Sequence, residues 1–155
     1  MKVVINLKNE SREDITKIID YFICYGYDEF IVFSNNPQAL FTNNELSYYR
    51  TNQISVIALK KNKEETKDLL HLIRGGLNKF FVVFSEKVTE LNLDQLLFAY
   101  KENATLATLG NCQNKLVVAI LENEIFDYFP YGKSLERDVL SRVGEDEEIS
   151  IYTEK

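Results

Sequence analysis

Cysteine and histidine are nearly missing from this sequence, with two of the former and one of the latter in 155 residues. Cys24 and Cys112 lie far apart and neither has a second thiol nearby, so neither a disulfide framework nor a thiolate metal site is signalled. A reduced, cytoplasmic setting is the expectation. The lone His71 falls mid-helix with no cysteine or second histidine beside it, which favours a surface residue over a metal ligand or base. Long apolar runs are also lacking. The N-terminus turns polar after about five residues, and every other run falls well short of the roughly 20 that a spanning helix needs. Neither export by a leader nor membrane insertion is expected. Positive charge is in deficit too: 24 acidic residues against 18 basic give a net charge of -6, which disfavours a phosphate-tracking nucleic-acid surface. No G-x-S-x-G elbow, G-x-G-x-x-G turn, Walker loop or H-E-x-x-H pair occurs.

What is present is ordinary globular composition, 45% hydrophobic and 27% charged, in a length suited to one domain, here 1–155. The opening KVVINL reads as a buried strand. Residues 11–25 follow as a helix: Ser11 and Asp14 resemble a capping box, Ile15, Ile18, Ile19, Phe22 and Ile23 form one apolar stripe, and Gly26 stands where a left-handed C-cap belongs. EFIVFS is a second buried strand, completing a βαβ unit. Beyond it SNNPQALFTNNE is turn-rich with one helical turn, LSYYR and ISVIALK read as short strands, and KEETKDLLHLIRGGL is a helix ending at Gly75 and Gly76. KFFVVF is a strand, LNLDQLLFAYKEN a helix, ATLATL and KLVVAIL strands, NEIFDYF and SLERDVLSRV helices, and EISIYT a last strand. The acidic run at 145–148 reads as a solvated turn. This alternation predicts a three-layer α/β/α sandwich around a mixed, mostly parallel sheet.

Two places attract attention as sites. The first strand-to-helix turn, Lys8-Asn9-Glu10-Ser11, contains no glycine, so its amides are poorly suited to wrap a pyrophosphate, and Glu10, Glu13 and Asp14 would repel one. After KFFVVF come Ser85, Glu86 and Lys87, at the sheet edge where an α/β fold presents ligand-binding side chains. Glu86 is the one carboxylate there suited to a divalent cation, but Lys87 opposes such a cation by like charge and is expected to pair with Glu86 or a neighbouring acid. Nine tyrosines and ten phenylalanines, with clusters at Phe41, Tyr48 and Tyr49 and at Tyr128, Phe129 and Tyr131, leave a protein-interaction module as another reading, although most such residues serve cores.

The order of segments resembles the sugar-1-phosphate nucleotidyltransferase family. KFFVVFSEKVTELNLDQLLFAYKENATLATL is similar to that family's strand, N-G-D-type turn, D-L-D-L-x-x-L-L-x-x-H helix and alanine/threonine-rich strand. KLVVAILENEIFDYFPYGKSLERDVLSRV resembles its strand, E-x-F-x-x-I-P helix and S-L-E-R-D-V-L-type helix, and IIDYFICYGYDEFIVFSN its first helix, glycine turn and second strand. The resemblance implies a nucleotide-diphosphate-sugar transferase-like fold and, in the family, magnesium-dependent transfer from a nucleoside triphosphate to a sugar 1-phosphate. That chemistry needs donors around a polyphosphate and two aspartates on the metal. Here KNESRED replaces the G-G-x-G-T-R-L loop and the P-K-P lysine. The N-G-D aspartate aligns with Lys87, or one residue earlier with Glu86. KEETKDLL keeps Thr66 but loses the glycines of L-G-T-A-G-A-L, and the W-x-D-I-G aspartate lies beyond the segments present.

A degenerate, non-catalytic protein is therefore expected, with no catalytic residue, no metal and no cofactor, acting as a binding or assembly component in sugar-nucleotide or surface-glycan biosynthesis. Magnesium enters only under the alternative, an active transferase with a rebuilt site or a partner-supplied loop. Any ligand is placed near Asn6, Lys8, Ser34, Ser85, Glu86 and Lys87. A sugar phosphate or another protein is the expected partner, with a homo-oligomer as a further option.

Overall fold

The computed structural model describes residues 1–103, 106–127 and 149–154. Seven strands form one sheet: β1 (Lys2–Ile5), β2 (Glu29–Ser34), β3 (Ser55–Lys60), β4 (Lys79–Val83), β5 (Ala107–Cys112), β6 (Lys115–Glu122) and β7 (Ile149–Glu154). Their order is β3-β2-β1-β4-β6-β5-β7. The β1/β2, β2/β3, β1/β4 and β5/β7 pairs are parallel, while β6 runs antiparallel to both β4 and β5.

Four helices accompany the strands: α1 (Arg12–Cys24), α2 (Asn43–Thr51), α3 (Glu65–Arg74) and α4 (Leu93–Asn103). The β-branched and aromatic runs VVI, FIVF and FFVV are buried on both faces, as strands covered on both sides must be. Alternate residues then sort by face. Val3, Ile5, Phe30, Val32, Phe81 and Val83 meet Ile15, Ile18, Ile19 and Phe22 of α1 and Leu93 and Leu96 of α4. Val4, Ile31, Phe33, Phe80 and Val82 turn the other way, into a second core with Leu69 of α3. The result is the three-layer sandwich that the alternation predicts.

The helix ends follow local chemistry. Ser11 Oγ accepts from Asp14 N at 3.4 Å and caps α1, which runs into Gly26 at φ +92°. Asn92 Oδ1 accepts from Gln95 N at 3.2 Å at the start of α4. At the end of α3 the left-handed residue is Gly76, at φ +100°, where a Cβ would be strained.

Two sequence readings are corrected. LSYYR, read as a strand, lies in helix α2. Thr42 Oγ1 accepts from Glu45 N at 3.1 Å while Glu45 Oε1 accepts from Thr42 N at 2.9 Å, a complete capping box that starts a helix in spite of two tyrosines. The alanine/threonine-rich strand begins later than ATLATL suggests and runs on through Gly110 and Asn111 to Cys112, with a β-bulge between Gly110 and Asn111. Residues 123–127 form a 3-10 turn, the described part of the NEIFDYF helix reading. The SLERDVLSRV helix reading, the acidic run 145–148, Tyr128, Phe129, Tyr131 and the side chain of Thr66 lie outside the described residues. Among the described residues no helix is long and apolar enough to cross a membrane.

Candidate functional site

The chain passes from β1 outward through β2 to β3, then returns to place β4 on the other side of β1. Strand order therefore reverses at the β1/β4 seam, and loops leaving the carboxyl ends of two such strands diverge and leave a crevice. A cleft of about 490 Å³ occupies that position, lined by Leu7, Lys8 and Asn9 after β1, by Phe84, Ser85 and Glu86 after β4, and by Asn111, Asn114, Lys115 and Leu116. The last four belong to the β5–β6 hairpin, which reaches this edge because β6 runs antiparallel to β4. Its turn residues Gln113 and Asn114 both adopt positive φ, at 53° and 64°, the backbone that a two-residue hairpin turn requires.

Of the six residues placed at the site from sequence, Lys8, Ser85 and Glu86 line this cleft. The other three stand elsewhere. Asn6 is 3% exposed, its N–H donates to Val83 O at 3.0 Å, and its buried Oδ1 has no hydrogen-bond partner. Ser34 is fully buried and donates from Oγ to Glu10 Oε2 at 2.6 Å. Lys87 Nζ lies 3.5 Å from Glu90 Oε1, so its charge is answered within the 3-10 turn Glu86–Glu90 rather than in the cleft. Ser85 Oγ caps that turn, accepting from Lys87 N at 3.2 Å, and lies 3.3 Å from Glu86 Oε2.

The hairpin residues were not reached by sequence reasoning. The available signal was the Gln113-Asn114 dipeptide between two apolar runs, a hairpin turn without glycine. Glu10 was also missed in its actual role. Its carboxylate accepts from Ser34 Oγ and from Asn35 N at 2.9 Å, so it fills two donors at the carboxyl end of β2. Nearby, Lys60 Nζ donates to Asn35 O, Lys61 Nζ to Leu7 O, and Arg12 Nε to Leu40 O at 2.8 Å. No residue from Leu7 to Ser11 has positive φ, so the turn after β1 does not form the concave nest of amides that holds a polyphosphate.

A divalent cation of the magnesium type takes oxygen ligands, carboxylates foremost. Among the described residues Glu86 is the one carboxylate lining the cleft, and Lys8 and Lys115 line it too. Among the described residues no three His, Cys, Asp or Glu side chains gather into a metal-holding group. Among the described residues the cleft's donor set, one carboxylate beside two lysines, does not fit a divalent cation. Neither cysteine is disulfide-bonded. The buried Cys112 thiol is pushed up from its ordinary pKa by burial and by its hydrogen bond to Glu90, which disfavours the thiolate. In the aromatic cluster, Tyr49 packs edge-on against Phe41, with ring centres 5.8 Å apart, and is buried, leaving Tyr48 as the exposed member.

No family model matches the sequence, and no curated protein does. Solved structures do match its fold over nearly the whole chain. A Mycobacterium tuberculosis protein in complex with manganese superposes with a TM-score of 0.62 at 8% identity, covering 99% of this chain and 87% of its own. A Bacillus anthracis protein assigned as a glucose-1-phosphate thymidylyltransferase, bound to sucrose, gives 0.60 at 7% identity, over 99% and 86%. A Desulfovibrio desulfuricans protein assigned as a nucleotide-diphospho-sugar transferase gives 0.55 at 6% identity, over 98% and 78%. The fold is that of the nucleotide-diphospho-sugar transferases and sugar-1-phosphate nucleotidyltransferases.

Proposed function

We propose that this chain is a non-catalytic protein built on the nucleotidyltransferase-like fold. In this reading it works in the cytoplasm as a binding or assembly component of sugar-nucleotide or surface-glycan biosynthesis, and its cleft receives a small anion of the sugar-phosphate type. The observation that carries the reading is the composition of the carboxyl edge. The β1–β2 side is closed by the chain's own Glu10, and among the described residues the open cleft is lined by Lys8, Lys115 and one carboxylate, Glu86. Transfer of a nucleotidyl group needs positive charge and oriented donors around a triphosphate, and deletion of one such donor in well-studied enzymes costs roughly 10²–10³ in rate. A site that, among the described residues, has neither a metal-holding group nor an amide nest after β1 supports a non-catalytic reading. Calorimetric titration with nucleoside triphosphates and magnesium tests this: no micromolar binding is expected, and micromolar binding would contradict it.

One observation favours a second reading, that Glu86 does line the cleft. An active transferase with a rebuilt site predicts release of pyrophosphate from a nucleoside triphosphate and a sugar 1-phosphate, abolished in Glu86→Gln. Absence of that release in the unmodified protein removes this alternative.

A further inference from the structure

Strand β3 ends the sheet on its side, and among the described residues β2 is its single neighbour. Ser55 N donates to Asp28 O at 2.8 Å and Lys61 N to Ser34 O at 2.9 Å, so the odd-numbered residues of β3 turn their backbone groups toward β2. Backbone groups alternate in direction along a strand, which aims the N–H and C=O of Val56, Ala58 and Lys60 away from the sheet. Natural proteins blunt such an edge with a proline, a bulge or a free charge. The sequence SVIALK uses none of these. It has no proline, stays in register with β2 from Ser55 to Lys60 without a bulge, and its one charged side chain is held back, since Lys60 Nζ donates to Asn35 O. Apolar surface lies along the same edge: Ile57 is 50% exposed, and Leu59, on the same face, is partly exposed.

We infer that this edge binds a second copy of the same chain, β3 to β3 and antiparallel, about a two-fold axis at Ala58. The register follows from which backbone groups point outward. Centring on Ala58 sets Ala58 opposite Ala58 and Val56 opposite Lys60, and each such pair exchanges two backbone hydrogen bonds, so every outward group of the strand finds a partner. Centring on Ile57 would set Lys60 against Ile54, whose N–H already goes to Tyr49 O at 2.8 Å. The side chains agree with the first register. A two-fold axis perpendicular to the sheet keeps each face on its own side, so Ile57 of one copy meets Leu59 of the other, an apolar cross-strand pair. Lys60 lies across from Val56 and Lys61 from Ser55, so no like charges stand opposed. An unrelated strand would meet the same backbone groups; the match of Ile57 with Leu59 around an uncharged centre is what selects a second copy. The outcome is one continuous sheet through two molecules. The cleft plays no part in it, because β2 separates β3 from the β1/β4 seam.

Sedimentation velocity of the full chain at concentrations on the order of 1–100 µM reads the assembly directly, and a reversible monomer–dimer equilibrium is expected. Ile57→Lys alters an exposed side chain and sets an ammonium group against Leu59 on both sides of the axis; it is expected to weaken dimerisation roughly tenfold or more while the monomer stays folded by circular dichroism. Cross-linking fixes the register independently. In a Cys24→Ser background, which removes the exposed native thiol, Ala58→Cys is expected to form an interchain disulfide on mild oxidation, because hydrogen-bonded antiparallel partners lie about 5.5 Å apart at Cα, within disulfide reach. Ser55→Cys, whose counterpart lies several residues further along the other copy, is expected not to. A monomer throughout that range, a dimer that Ile57→Lys leaves intact, or cross-linking no better at residue 58 than at residue 55 overturns the inference.

Discussion

The carboxyl edge of the sheet has two halves of opposite character, meeting at β1. Over β1, β2 and β3 it is laced by the protein's own side chains: Glu10 to Ser34 and Asn35, Lys60 to Asn35 O, Lys61 to Leu7 O, and Arg12 to Leu40 O and to Glu45. Over β1, β4 and β6 it stays open as a cleft of about 490 Å³ that Lys8, Glu86 and Lys115 line. The same backbone arrangement produces both, so strand topology decides only where a crevice can form. Whether it takes a ligand is decided by which side chains reach across it first.

This contrast can be broken most sharply at Glu10. Glu10→Ala removes two charge-assisted hydrogen bonds and leaves the buried Ser34 hydroxyl without its acceptor. It is expected to lower stability by about 2–3 kcal/mol in urea denaturation while leaving phosphate binding in the cleft intact. No loss of stability would show that the lacing is incidental and the two halves equivalent. On the open side, Gly110→Ala forces a methyl group against the stiff Val118 side chain, with an expected cost of about 1–2 kcal/mol by the same measurement. Unlike the Glu10 variant, it should also weaken ligand binding, because the hairpin wall shifts.

Smaller effects sharpen the laced side. Thr42→Ala removes the cap of α2, whose Glu45 anchors Arg12 at 2.7 Å, and should cost about 1 kcal/mol. Glu45 gives a pH signature. Hydrogen bonding from the Thr42 backbone, first among its influences, holds its carboxyl below the ordinary value, with the Thr42 hydroxyl and Arg12 acting in the same direction. A depressed folded-state value means that the contribution is complete above the unfolded-state pKa and is lost as pH falls through the folded one. The stability gap between the unmodified protein and Glu45→Gln should therefore be widest at neutral pH and close on acidification, measured by urea midpoints across the acid range. A gap independent of pH would mean that the carboxylate charge contributes nothing there.

How much of this was legible in the sequence depended on distance along the chain. The buried strands VVI, FIVF and FFVV, and α1 with its Ser11 cap and Gly26 terminus, are written in residues a few positions apart, and the structure has them where periodicity puts them. Helix α2 was equally local, but the β-favouring tyrosines of LSYYR outweighed the capping signal Thr42-x-x-Glu45 that in fact governs it. The site was harder. Lys8, Ser85 and Glu86 could be placed by the rule that ligands sit at carboxyl ends of strands, since each directly follows a strand. The bond from Ser34 to Glu10 joins residues 24 apart, and no spacing announces it. The hairpin wall depends on β6 running antiparallel beside β4, and the register slip that leaves Val117 of β6 without a partner in β5 depends on which residue of β5 meets which of β6, a matter that neither segment encodes alone.

The position of β1 has a consequence for how the molecule comes to be assembled. β1, α1 and β2 leave the ribosome in succession, but the strand that completes β1 on its other edge is β4, with α2, β3 and α3 made in between. At elongation rates of roughly 5–20 residues per second, a nascent chain carries β1 with one row of backbone amides and carbonyls unmatched for several seconds. The seam that later floors the cleft is thus the joint most exposed to mispairing and to capture by chaperones during synthesis. Substitutions that weaken β4 should show first as poor yield of newly made protein, before any loss of binding by the molecules that do mature.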